Sequence, residues 1–237
     1  MTLATTGFRH VEQVMGTAVS FDVRVPAKTV SVGGAIDLLH WVDETFSIYR
    51  ADSQISRIGR GELGSDDACP EVREVLVRCS ELREATDGWF DHEGGQSRGR
   101  PLDPSGYVKG WSIDRAAELL RFDGIDRFCI NAGGDVVAMG RPDGENPWRV
   151  GVRKPANAAE IATVVGVVDA AVATSGTYER GGHVWSSRTH SGGQPGSVTV
   201  MGPELAVADA LATAVFAAGG GAPDWLHRFP EYRLLVL

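Results

Sequence analysis

Residues 17–25, TAVSFDVRV, keep a period of two in their large apolar positions. Val19, Phe21, Val23 and Val25 fall on one side, and Ala18, Ser20, Asp22 and Arg24 on the other. A period of two predicts a strand with one buried face. The spacing then lengthens: Ile36, Leu39, Val42 and Phe46 recur at helical intervals and predict a helix over 34–47. A second helix is predicted in PEVREVLVRCSELREATDG, where Val72, Val75, Leu76, Cys79 and Leu82 share one face. Pro70 suits its first turn and Gly88 its left-handed stop.

Residues 92–101, HEGGQSRGRP, are polar and glycine-rich and predict a loop, followed by a helix from about Ser112 to Arg121 with Gly124 just beyond its end. After it come short apolar runs, RFCIN, DVVAMG, WRVGV, TVVGVV, AAVATS and SVTVMG, divided by Gly, Pro and Asn turns. Runs of that length predict a mainly antiparallel sheet. Helices are predicted again at Asp209–Ala218 and Asp224–Arg228, with RLLVL as a closing strand. Helices early, strands in the middle and helices late imply an α+β fold of mainly antiparallel sheets with packed helices. No repeat or clean linker divides the chain, so residues 1–237 read as a single domain.

Composition narrows the class of partner. The chain has 237 residues, 43% hydrophobic and 23% charged, with a net charge of −8. That balance predicts a soluble globular protein and argues against nucleic acid as a partner. An anionic ligand must then be met by local groups: a metal, a lysine or backbone N–H groups. No apolar run reaches the roughly 18 residues of a membrane span, so no membrane insertion is expected. Cys69, Cys79 and Cys129 make no metal-type spacing. Cys79 and Cys129 read as buried fillers, and a reducing, cytoplasmic setting fits three unpaired cysteines.

Two stretches carry candidate chemistry. In VADALATAVFAAGG, Asp209 and Thr213 lie at i and i+4 on one helix face. Two hard oxygens so placed suit Mg²⁺, which is held by few protein ligands. The plainer alternative is that Asp209 caps the helix and Thr213 bonds back to a carbonyl. In LDPSGYVKGWSIDRAAELL, Lys109 sits between Gly106 and Gly110 at the predicted mouth of the 112–121 helix, where an anion is favoured. The alternative is a surface lysine in a flexible turn. No GxxxxGK[ST] or GxGxxG phosphate loop is present.

Other signals are more ambiguous. CINAGGDVV reads as a hairpin whose small turn could also admit a ligand. His183, in VATSGTYERGGHVW, is a candidate base near neutral pH. Tyr49, Trp89 and Phe90 stand at helix ends, where an aromatic ring either sandwiches a planar ligand or plugs the core.

In their order along the chain, VMGTAVSFDV, FSIYRADSQISRIGRGE, TDGWFDH, LDPSGYVKGWSIDRAAELL, FCINAGGDVVAMG, VATSGTYERGGHVW and SVTVMGPELAVADALATAVFAAG resemble the FAD:protein FMN transferase family, the ApbE flavin transferases. The resemblance covers roughly residues 8–237 and implies an ApbE-like fold with two intertwined lobes. It implies Mg²⁺ as cofactor and FAD as substrate. The activity implied is transfer of FMN to a Ser or Thr hydroxyl of an acceptor protein, with release of AMP. A hydrolytic variant of the same chemistry, FAD pyrophosphatase, and a non-catalytic FAD-binding protein are the alternatives.

By motif, the resemblance places Met15 and Tyr49 around the isoalloxazine, and Trp89, Phe90 and Asp91 beside FAD. It puts Asp103, Lys109 and Trp185 in contact with FAD. Asp209, Thr213 and the Gly106 carbonyl become metal ligands, with Asp209 also catalytic, and His183 becomes the base for the acceptor hydroxyl. In HVWSSRTHSGGQP, Ser186 and Ser187 stand where the family has Asp-Pro, a departure that bears on His183 rather than on the metal pair.

Overall fold

The protein is described here by a computed structural model, which covers residues 7–24, 31–93, 102–176 and 196–237. Seven strands form one sheet: β1 (Phe8–Val14), β2 (Thr17–Val23), β3 (Phe128–Ala132), β4 (Asp135–Met139), β7 (Ala170–Gly176), β8 (Ser197–Gly202) and β9 (Arg233–Val236), side by side in that order. Every neighbouring pair is antiparallel. Strands β5 (Trp148–Lys154) and β6 (Asn157–Val167) form a separate antiparallel hairpin. Among the described residues the helices are α1 (Gly33–Phe46), α2 (Gln54–Gly59), α3 (Pro70–Ala85), α4 (Ser105–Phe122) and α5 (Leu205–Ala217), with 3₁₀ turns at Ser65–Asp67 and Asp224–Arg228. Mixed helices on a mainly antiparallel sheet are the α+β arrangement expected from the apolar runs.

The sheet buries both faces at its centre, which explains the unbroken apolar run in β4. Val137, Ala171, Ala173, Val198 and Val200 face the main core with α4 and α5. Val136, Ala138 and Val172 face a smaller core closed by Trp148 and Val167 of the β5–β6 hairpin. Cys79 is fully buried, but Cys129 only partly, against that smaller core. The predicted α3 is present with Pro70 at its start, and Gly88 follows it at φ 79°.

Three elements depart from the sequence reading. Strand β1 was not expected: FRHVEQV buries only Val14, because it is the edge strand and keeps polar groups on both faces. It pairs with β2 through a two-residue turn in which Met15 and Gly16 both take positive φ, 54° and 69°. Helix α4 begins at Ser105 rather than near Ser112, so Gly106 falls in its first turn and Lys109 and Gly110 lie inside the helix. Neither Gly106 nor Gly110 adopts positive φ. Burial of Tyr107, Val108 and Trp111 outweighs the helix penalty of the interior Gly110, about 1 kcal/mol. Helix α5 begins at Leu205, ahead of the expected Asp209.

Candidate functional site

The site grows from the crossing of α4 and α5. A Cβ added to Gly110 would lie 2.6 Å from both the Ala206 Cα and the Leu205 carbonyl oxygen, so only glycine lets the two backbones meet there. Asp114, one turn further along α4, fastens the crossing. Its Oδ1 accepts the Leu205 N–H at 3.0 Å and its Oδ2 the Ala206 N–H at 2.8 Å. These are unsatisfied donors of the first turn of α5, so Asp114 does the capping work considered for Asp209. Burial pushes the Asp114 carboxyl up to about 7, against the opposing pull of the two backbone N–H groups.

Asp209 therefore sits in the second turn of an almost wholly buried helix, its side chain 6% exposed. Thr213 follows one turn later on the same face. The Thr213 hydroxyl is 3.4 Å from Ser175 Oγ on β7. Across the crossing, a Cβ on Gly106 would come 3.6 Å from Thr213 Oγ1 and 3.4 Å from the Phe90 ring. The missing side chain leaves the α4 backbone close to the threonine.

Lys109, also on α4, points its Nζ at two buried carboxylates. It lies 2.5 Å from Asp135 Oδ2 and 3.6 Å from Asp209 Oδ2. Asp135 opens β4 immediately after the Gly133–Gly134 turn and is fully buried. Its other oxygen accepts the Thr174 N–H of β7 at 2.9 Å. Sequence reasoning missed Asp135, Asp114 and Ser175. For Asp135 one signal was available: an acid directly after a tight turn, heading a run that is otherwise apolar.

Lys109 also lines a pocket of about 340 Å³ with Met15, Val42, Phe46, Tyr49 and Val108. That volume is at the lower end for small-molecule sites, and its walls are mainly apolar, with Lys109, Arg50 and Asp43 as the charged lining. Tyr49 is 83% exposed, so its ring lines the pocket without plugging the core. Met15 reaches the wall from the β1–β2 turn, with its sulfur 3.7 Å from the Ser112 hydroxyl.

The structure thus brings Met15, Tyr49 and Lys109 to one pocket, and Gly106, Asp209 and Thr213 to the crossing beside it. The remaining expected residues are placed differently. Phe90 is 3% exposed and packs beneath Gly106 as part of the core, with Trp89 partly buried against the same core. Asp91 is turned to Arg83, 3.1 Å from its Nε. Asp103 is exposed and accepts the Ser105 N–H at 3.0 Å, opening α4. None of these four lines the pocket. His183 and Trp185 lie outside the described residues.

The donor chemistry at the crossing fits a hard divalent cation. A buried carboxylate, a hydroxyl and nearby backbone are all oxygen, which is how Mg²⁺ is held when water and phosphate complete its shell. Among the described residues no cluster of three or more His, Cys, Asp or Glu gathers, so nothing there resembles a zinc site or a carboxylate cage.

The sequence profile of the ApbE family matches residues 15–98 and 94–235. The chain belongs to the ApbE family. Among curated relatives, the FAD:protein FMN transferase of Treponema pallidum is 31% identical over 172 residues, 62% of this chain and 48% of that protein. The protein of the same name from Vibrio cholerae is 30% identical over 132 residues, 50% of this chain and 39% of its own length. The ApbE chain therefore matches about half or less of the length of these curated relatives.

Solved structures match more widely. The flavin transferase ApbE from Vibrio cholerae superposes with a TM-score of 0.84 at 21% identity, covering 98% of this chain and 94% of that one. The ApbE protein of Thermotoga maritima superposes at 0.80 with 23% identity, covering 98% and 94%. At these identities the match establishes the fold, mixed helices with a mainly antiparallel sheet.

Proposed function

We propose that this ApbE-family chain is an Mg²⁺-dependent FAD:protein FMN transferase. It moves FMN from FAD to a Ser or Thr hydroxyl of an acceptor protein and releases AMP. The observation that carries the reading is the α4–α5 crossing, where Asp209 stands next to Lys109, Thr213 stands next to Gly106, and Lys109 lines the pocket of Met15 and Tyr49. Family membership and the names of the curated relatives support the same activity.

In this reading the exposed Tyr49 ring and the Met15 side chain pack on the isoalloxazine. The Lys109 ammonium faces the pyrophosphate, which an acidic protein can meet only through such local charge. Asp209, Thr213 and the Gly106 carbonyl hold Mg²⁺. When bound, the ion neutralises pyrophosphate charge and stabilises the departing phosphate. The acceptor oxygen forms a bond to the FMN phosphorus as the P–O bond to AMP breaks. His183 takes the acceptor's proton, a contribution of about 10²–10⁴ in rate for a well-placed base. Trp185 completes the FAD surroundings, while Phe90 supports Gly106 from below and Asp103 holds the first turn of α4.

Among the described residues no helix is long and apolar enough to cross a membrane. The free cysteines support an acceptor in a reducing compartment such as the cytoplasm.

The test is intact-mass spectrometry of an acceptor peptide carrying a Ser or Thr, incubated with the protein, FAD and Mg²⁺. The reading predicts FMN added to the peptide and an equal amount of AMP. Free FMN and AMP with no labelled peptide would convert the reading to FAD pyrophosphatase. FAD left intact with every acceptor would overturn both.

A further inference from the structure

Asp135 has no part in the chemistry just described, yet it is a fully buried acid at the centre of the site. A buried carboxylate is tolerated only when paired and hydrogen-bonded. Asp135 meets both conditions in a fixed geometry. The Thr174 N–H holds Oδ1 at 2.9 Å, and the Lys109 ammonium lies 2.5 Å from Oδ2. The Gly133–Gly134 turn, with φ 61° and 108°, sets where β4 begins and so where this carboxylate sits. Asp209 competes for the same ammonium, but from 3.6 Å. Lys109 thus belongs to α4, Asp135 to β4 and Asp209 to α5.

We propose that Asp135 is a positioning residue for the transfer reaction. It keeps the closest contact of Lys109 on β4 instead of on Asp209, so the ammonium stays at the pocket wall and does not displace a cation from Asp209. This inference rests on the functional reading above. Removing the Asp135 charge leaves the ammonium attracted to Asp209, already within reach. Lys109 then acts as a built-in competitor for the metal.

The test measures Mn²⁺ binding by electron paramagnetic resonance in the absence of FAD, together with FAD binding by flavin fluorescence. Asp135→Asn keeps an acceptor for the Thr174 N–H and removes the charge. It is expected to weaken Mn²⁺ binding by about 10-fold, the lower end for partners that orient a metal site indirectly. Adding Lys109→Met to Asp135→Asn is expected to restore Mn²⁺ affinity while leaving FAD binding weak. A merely structural defect would not be rescued by deleting the lysine.

Unchanged Mn²⁺ binding in Asp135→Asn, or a loss that persists in the double variant, overturns the inference. If Asp135→Asn does not fold, Lys109→Met alone decides. Mn²⁺ affinity at or above that of the wild type supports the inference, and a loss of Mn²⁺ binding overturns it. Absence of Mn²⁺ binding by the wild-type protein overturns the functional reading and this inference together. Binding by the wild type with no change in Asp135→Asn overturns the inference alone.

Discussion

Gly110 of α4 and Ala206 of α5 touch backbone to backbone, with 2.6 Å between the Ala206 Cα and the place a Gly110 Cβ would occupy. The contact fixes how far Lys109 stands from Asp209, one link removed from the proposed chemistry. In Gly110→Ala the gain in helix propensity is about 1 kcal/mol. The clash is with backbone that no side-chain rotation relieves, and overpacking of this kind costs about 1–3 kcal/mol or more. The clash wins. Urea unfolding is expected to show a net loss of about 1–2 kcal/mol, accompanied by weaker metal binding. Equal or higher stability would mean that the helices separate freely.

Asp114 ties the same crossing together and gives it a pH signature. The carboxyl is raised from 3.8 to about 7 by burial, so the folded state holds its proton more tightly than the unfolded chain. Its contribution to stability is fully present below about 3.8 and is lost as pH rises through about 7. Asp114→Asn, which cannot titrate, is expected to flatten that part of the profile between pH 4 and 7. Asp114→Ala leaves the Leu205 and Ala206 N–H groups without this acceptor and is expected to cost about 1–3 kcal/mol at low pH, where the carboxyl's contribution is fully present. Thermal midpoints collected across the pH range check both outcomes.

His92 imposes the opposite slope. It is 3% exposed, and burial holds its imidazole below the ordinary 6.5. Stability from the neutral ring is present above 6.5 and lost as pH falls through the depressed value. Replacing His92 with Gln is expected to reduce acid destabilisation below pH 6.5, measured in the Asp114→Asn background so that the two slopes separate. A profile unaffected by the change would contradict the assignment.

Tyr49 should separate binding from folding. With 83% of the residue exposed, Tyr49→Ala is expected to shift stability by less than about 0.5 kcal/mol. Loss of ring stacking on a flavin is expected to weaken FAD binding by about 0.5–1.5 kcal/mol, with Tyr49→Phe close to wild type. Fluorescence titration of FAD distinguishes these outcomes from a Tyr49 that only decorates the surface.

Much of this architecture was legible in local pattern. The alternation of Val19, Phe21 and Val23 announced β2, and Pro70 with the spacing of Val72, Val75 and Cys79 announced α3. Asp209 and Thr213 were visible as a pair because a helix converts i and i+4 into neighbours. The start of α4 was hidden because Gly106 and Gly110 read as flexible joints, whereas their use is close approach to Thr213 and Ala206. That reason lies on another helix, 91 residues away along the chain for the Asp114–Leu205 bond. Asp135 was hidden for the same cause: an acid after a hairpin turn says nothing of the lysine it meets until α4 is laid across the sheet. Strand β1 was hidden by its place at the sheet edge, which asks for little apolar patterning.

The measurement that bears most directly on the central claim is AMP release from FAD by wild-type protein and Asp209→Asn, with and without Mg²⁺. The account predicts release by the wild type only when Mg²⁺ is present. It predicts a loss of at least about 100-fold in Asp209→Asn with FAD still bound. Mg²⁺-independent release, or wild-type rates in Asp209→Asn, would contradict it.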